Sequence, residues 1–383
     1  AGLALPFPDA VQEFRVTTSN YDATEGRSSA AQVKLITKSG SNELHGSAYY
    51  YHRNTATSAN EYFLKLGQAR AGRPSEAPKL NKHIFGASAG GPIIKDRFFI
   101  FGNFEGLKLL RESPVLRAVP SASFRDGVLI YRCVNRTGSP ACPTTTTTAT
   151  GFASTHTVPA GHFGLGPTQL ASLDPLGIGS SAAVSTHWRT FLGGYPSPND
   201  PGRDGLNIMG FRFAAPLEDD FLTYILRLDY KLDSAGKHTL FWRGQLQDDV
   251  INGAPQFPGL APTSKGLNSS RGFALGYEAQ LKPNVVNSFR WGLTRIKDDS
   301  AGFQNQTQNF FRFMSDLPPA ISSSGRIVPT HNFVENLSWV SGRHTLQFGA
   351  NIRYTRIPRY TDGGSYHFAI TNGSWVSGVG RTY

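Results

Sequence analysis

Phe221-Leu222-Thr223-Tyr224-Ile225-Leu226-Arg227-Leu228-Asp229-Tyr230-Lys231-Leu232-Asp233 is the run on which the fold of this chain turns. Leu222, Tyr224, Leu226, Leu228, Tyr230 and Leu232 fall on one face, and Thr223, Arg227, Asp229, Lys231 and Asp233 fall on the other. Successive side chains of a strand point to opposite sides, so this period of two predicts a strand with one greasy and one charged face.

The same pattern recurs on either side. After a turn at Ser234-Ala235-Gly236, Leu240, Trp242 and Leu246 oppose Thr239, Arg243, Gln245 and Gln247. Further on, Phe289, Trp291 and Leu293 oppose Ser288, Arg290 and Thr294; then Leu346, Phe348, Ile352 and Tyr354 oppose Gln347, Asn351, Arg353 and Thr355. Upstream, an aromatic run at 45–52 and two segments at 82–94 and 97–110 complete the set. Strands are predicted at about ten to fourteen residues each, longer than the usual five or six of a globular strand and suited to a tilted crossing of an apolar band about 25 Å tall.

The connections alternate in length. Lys95-Asp96, Ser234-Ala235-Gly236, Lys282-Pro283-Asn284 and Ser341-Gly342 are tight, whereas 54–80, 112–218, 251–268 and 298–329 are long and rich in Pro and Gly. A connection of about a hundred residues is anomalous in a compact soluble domain. It is ordinary on the outer side of a transmembrane barrel, which has short periplasmic turns and long outer loops.

Composition agrees. The 383 residues include 41 Gly, 26 Phe and 14 Tyr but 2 Met, and mean hydropathy is −0.29. No stretch reaches the eighteen apolar residues of a membrane helix. A barrel strand shows lipid only at every second residue, so low hydropathy does not argue against a membrane. The aromatics Tyr49, Tyr51, Phe98, Phe104, Tyr224, Tyr230, Trp242 and Trp291 are expected to form interfacial girdles; their other reading is the inward face of a soluble sandwich.

The formal charge of +11 (38 basic against 27 acidic residues) suits an anionic partner. Lys and Arg are scattered singly, without zinc-finger spacing or an RNA-binding motif, so nucleic acid is not expected and lipopolysaccharide or an anionic ligand is. Cys133 and Cys142 sit in a Pro/Thr-rich segment without flanking His pairs. They read either as a loop-stapling disulfide of an oxidising compartment or as two free thiols; neither a metal nor a cofactor is expected.

Enzymatic constellations are weak. His156 and His162 lack acidic neighbours at ligand spacing, while Asp219-Asp220 and Asp248-Asp249 fall at strand ends. Gly86, Gly90 and Gly91 precede no phosphate-loop Lys and read as kinks or points of close approach.

The remaining signal is the stretch 11–40, VQEFRVTTSNYDATEGRSSAAQVKLITKSG. Strand 13–16, a polar turn with Tyr21 and Glu25-Gly26-Arg27, and strand 32–38 ending in Thr37-Lys38 before Gly40 are followed by Asn42-Glu43-Leu44-His45-Gly46-Ser47. Then come Phe85-Gly86, Gly90-Gly91-Pro92-Ile93 and 98–106, FFIFGNFEG. This succession resembles the Oar-like branch of the TonB-dependent outer-membrane transporters.

The resemblance implies an all-β fragment: residues 1–43 as the end of a plug, and residues 44–383 as the first part of an antiparallel barrel of about nine or ten strands with unpaired edges. It also implies that an upstream plug, a TonB box and further strands lie outside this sequence. Uptake would be energised by the inner-membrane TonB complex, for a ligand that the loops leave open among carbohydrate, peptide and protein.

Plug–barrel contact is then expected at Glu13, Arg15, Tyr21, Glu25, Gly26, Arg27, Thr37, Lys38 and Gly40. Arg227, Asp229, Lys231, Arg243, Arg290 and Arg353 are expected on the lumen wall. Two alternatives stand beside this reading: a passive or adhesive barrel, and a soluble all-β carbohydrate-binding protein.

Overall fold

The computed structural model describes residues 8–17, 32–70, 72, 74–134, 140–177, 182–201, 205–301, 308–311, 313–317, 323–362 and 366–369. Tyr21, Glu25, Gly26 and Arg27 lie outside them.

In chain order the strands begin with β1 (Val11–Thr17) and β2 (Gln32–Thr37), then β3 (His45–Asn54), helix α1 (Tyr62–Arg70), β4 (Leu80–Ile94) and β5 (Phe98–Pro120). A lobe follows: α2 (Ala122–Arg125), β6 (Leu129–Arg132), β7 (Thr147–Thr150), β8 (Thr155–Val158), β9 (His162–Leu165), α3 (Pro167–Ser172) and α4 (Ala182–Gly193). The chain returns through β10 (Ile208–Lys231), β11 (His238–Asn252), β12 (Lys265–Lys282), β13 (Val285–Ala301) and β14 (Gln308–Phe311). It ends with β15 (Ser323–Ser341), β16 (His344–Thr355), β17 (Arg359–Asp362) and β18 (Tyr366–Ala369).

Among the described residues one sheet holds ten strands, in the order β3-β4-β5-β10-β11-β12-β13-β15-β16 with β17 beside β15. Every pairing in it is antiparallel. Neighbours in this sheet are consecutive in the chain except at three places: the lobe intervenes between β5 and β10, β14 between β13 and β15, and β17 pairs with β15 rather than β16. Among the described residues the sheet does not close on itself: β3 and β16 are its edges.

Register carries one phase across the whole sheet. Arg227 faces Arg243, Arg243 faces Ala274, Ala274 faces Gly292, Gly292 faces Asn332, and Asn332 faces Arg353. Directly opposed residues share a face, so the polar sides of all these strands form one surface and the apolar sides the other.

Burial is the reverse of a soluble protein. The polar face is covered, with Thr223 at 2%, Gln245 at 4% and Asn103 at 5% exposure, while on the apolar face Tyr224 is 45% and Ile352 63% exposed. A single soluble sheet hides its apolar side, because burying it against other elements is what drives folding. A sheet curled with polar residues inward and Leu, Tyr, Phe and Trp outward requires a hydrocarbon solvent.

The strands correct several boundaries. Residues 112–218 are not one loop: β5 continues to Pro120 and β10 starts at Ile208, zipped from Ile208↔Pro120 downward. Similarly β13 reaches Ala301 and β15 starts at Ser323, so 298–329 is shorter as a loop, and 54–80 contains α1. Pro114, Pro120 and Pro216 obscure the first case, since they read as breakers in a sequence and here occupy ladder positions.

Between these two strands the lobe has its own cores. Val128, Ile130, Ala149 and Val158 form one, and Val119, Leu192, Tyr195, Ile208, Phe257 and Met314 form another that draws in the neighbouring loops. Asn207, fully buried, fixes β6 to the foot of β10: its amide donates to Ile130 O, and its Oδ1 accepts from Ile130 N at 2.9 Å. A disulfide joins Cys133 to Cys142, with Cα atoms 5.5 Å apart.

Candidate functional site

β1 and β2 pair as an antiparallel hairpin, Thr17↔Gln32 to Val11↔Thr37. Its second strand runs into residues 38–44, which cross the end of β4 and β5. Gly40 is required there: a Cβ on it would stand 2.5 Å from Ile100 O and 2.7 Å from Gly91 O, closer than any side chain is tolerated. The expected close approach at Gly91 is therefore real, and its partners are the chain at Gly40 and Leu44.

Where β2 ends, it meets the polar face. Arg227 Nη1 donates to Thr37 O at 2.6 Å. The same guanidinium grips Asp229 through two parallel bonds, Nε to Oδ2 and Nη2 to Oδ1, both 2.9 Å. A fork held this way has its remaining donor aimed in a fixed direction, which a lysine would not supply. On the hairpin side, Lys38 N donates to Ala10 O at 3.0 Å and Lys38 Nζ lies 3.6 Å from Asp9 Oδ1. Asp9 in turn accepts from Ser47 Oγ of β3 at 3.1 Å.

A cavity of about 790 Å³ separates β2 from the wall. Thr37, Gly40, Arg227, Asp229, Lys231 and Arg290 all line it. Lys231 Nζ sits 5.7 Å over the ring of Phe99, and Arg290 pairs with Glu278 at 3.0 Å. Arg243 and Arg353 line a neighbouring space of about 430 Å³ on the same polar face; Arg243 donates to Gln245 Oε1 at 2.8 Å. Glu13 and Arg15, exposed on β1, line neither.

Tyr49 and Tyr51 do not belong to an outer girdle. Tyr49 opposes Gly86 and lies on the polar face, where its hydroxyl donates to Glu105, and Tyr51 shares its side of β3. Phe104, Tyr224, Trp242 and Trp291 do face outward, with Phe104 and Tyr224 at 5.0 Å. Glu105 and Asn103 were missed as wall residues. The signal is their spacing of two within the aromatic run 98–106, which puts both on one side. Both amide atoms of Asn103 are buried without a hydrogen-bond partner among the described residues.

Among the described residues no His/Cys/Asp/Glu cluster could hold a metal ion, and no helix is long and apolar enough to cross a membrane. The membrane is met by strands. An open antiparallel sheet, apolar outside and polar within, with short turns at one end and a packed lobe at the other, defines an outer-membrane barrel protein.

Residues 36–379 match the family described as outer membrane beta barrel domain, and the chain belongs to that family and to the bacterial outer membrane. It is also similar to the TonB-dependent transporter Oar of Myxococcus xanthus, at 33% identity over 95 residues, 24% of this chain and 9% of that protein. The chain thus covers a small part of that relative's length. No solved structure matches.

Proposed function

We propose that this chain takes part in TonB-dependent uptake across the outer membrane. In this reading residues 1–43 are the end of a plug and residues 44–383 barrel wall, with the lobe facing the cell exterior. The observation that carries it is the cavity in which Thr37 and Gly40, before the first wall strand, meet Arg227, Asp229, Lys231 and Arg290 of the wall. The partial similarity to a TonB-dependent transporter supports the same reading.

The physics suits a movable contact. A barrel too wide for its own side chains to fill needs an obstruction, and one held by a few hydrogen bonds in water shifts at modest cost. Pulling on β1 from the periplasm would strip Thr37 from Arg227 and Asp9 from Ser47, opening a path lined by polar side chains. Nothing in such a cycle calls for bond making at these residues; they bind and release.

A cysteine in place of Ile36, which lines the cavity, tests this in whole cells with a membrane-impermeant maleimide. Labelling is expected to rise when TonB and the proton gradient are present and to fall when either is removed. Equal labelling in all three conditions points instead to a passive barrel with a fixed constriction.

A further inference from the structure

The lipid-facing surface carries a second concavity, of about 800 Å³. It lies on β4, β5 and β10 to β13, well inside the sheet and away from both edges. Its floor is made by small residues: Ala87, Ala89, Gly102 and Gly244 all sit on the apolar face, where neighbouring rows carry Leu, Phe and Tyr. Trp242 folds down against Gly244, so close that a Cβ there would be 2.5 Å from the indole. The lining is almost wholly apolar, and its shape is a trough rather than a flat strand surface.

At one end of the trough stand Arg271 and Arg295, directly opposite each other on β12 and β13. Two like charges in opposed positions destabilise a sheet unless a counter-charge lies between them. Among the described residues neither is in an ion pair or hydrogen bond: Asp248 accepts from Ser269 at 2.6 Å, and Asp299, the one carboxylate that feels the charge of Arg295, is held in contact by Lys297 at 2.7 Å. Both arginines are about ten residues from the short turn at Pro283-Asn284. At about 3.3 Å per residue and a tilt of roughly 40°, that is about 25 Å above it, the height of the apolar band and hence the level of the outer headgroups.

We propose that the trough and the arginine pair form a binding site for an acylated, phosphorylated glycolipid of the outer leaflet, lipopolysaccharide. An acyl chain lies in the trough over Ala89 and Gly102, and a lipid A phosphate bridges Arg271 and Arg295, each guanidinium offering the planar fork that matches phosphate oxygens. Charge complementarity selects this occupant over zwitterionic phospholipid, and the apolar trough selects it over free phosphate. The site is independent of whether the protein transports anything.

The test uses the whole chain purified in detergent, titrated with lipopolysaccharide whose lipid A is phosphorylated or enzymatically dephosphorylated. Binding to the phosphorylated form is expected to be at least tenfold tighter than to the dephosphorylated form, and to fall at least tenfold in the double variant Arg271→Gln/Arg295→Gln. Gly102→Leu is the second variant. A Cβ at Gly102 meets nothing within 4 Å, so the new side chain fills the trough without disturbing the barrel, and binding is again expected to fall about tenfold. This variant keeps the test open if the arginine variant does not fold. Unchanged affinity in either folded variant, equal affinity for dephosphorylated lipid, or full competition by inorganic phosphate overturns the proposal.

Discussion

Arg227 stands between two acceptors that differ in origin. Asp229 is its neighbour on the same strand; Thr37 O belongs to the hairpin that precedes the wall. Replacing it with Gln removes the fork, leaves Asp229 half-buried without its cation, and frees the Thr37 carbonyl. A hydrogen bond to a charged group is worth about 1.5–3 kcal/mol, so hairpin amides such as Lys38 N should exchange with deuterium roughly ten- to a hundredfold faster, with exchange in β10 to β13 unchanged. Equal protection of Lys38 in the variant would show that the contact does not hold the hairpin. Alternation was enough to place Arg227, Arg243, Arg290 and Arg353 on one face. It did not say which of them meets the hairpin, because that depends on register across strands far apart in sequence. Tyr49-Tyr50-Tyr51 shows the converse failure: aromatics at consecutive positions give no phase, and Tyr49 turns inward to Glu105.

At the scale of elements, the strand cores were legible and their outer ends were not. β10 reads cleanly from Phe221 to Lys231 because lipid on one side and water on the other force a strict period of two. Above that level, from Ile208 to Glu218, the strand leaves the bilayer, packs on the lobe, and loses the pattern that marked it. The lobe depends on contacts no short window reveals. Asp126, just past α2, accepts from Ala153 N at 2.8 Å, Ser154 N at 2.9 Å and His156 Nε2 at 2.9 Å, clipping the turn of the β7–β8 hairpin. Burial would raise its pKa, but these hydrogen bonds outweigh burial and hold it down at about 2, below its ordinary 3.8. A depressed carboxylate stabilises the fold above its unfolded value and ceases to do so as pH falls through the folded one. Limited proteolysis should therefore cut the lobe near 151–155 faster at pH 2 than at pH 5. Asp126→Asn should be cut readily at both, while resistance of that variant at pH 5 would show that the charge is dispensable.

For the whole molecule, the inverted burial of the sheet and the parity of its turns are two consequences of one solvent arrangement. Each strand must cross hydrocarbon with every backbone group paired, so its outward residues are apolar and its turns alternate between a short and a long side. The hairpin is exempt from that constraint: Phe14, Val16 and Val33 are exposed on it, among the described residues its strands pair only with each other, and the ties of Thr37 and Asp9 to the wall are polar. Insertion and obstruction should then be separable. Deleting residues 11–40 from a full-length parent whose barrel is complete should leave barrel assembly intact, read as an unchanged heat-modifiable mobility shift on gels of outer-membrane fractions. The same deletion should raise ion conductance in planar bilayers at least severalfold, since the cavity beside Arg227 and Lys231 would become continuous with water. Loss of the mobility shift would mean that the hairpin is part of the folding core of the sheet, and unchanged conductance that it obstructs nothing.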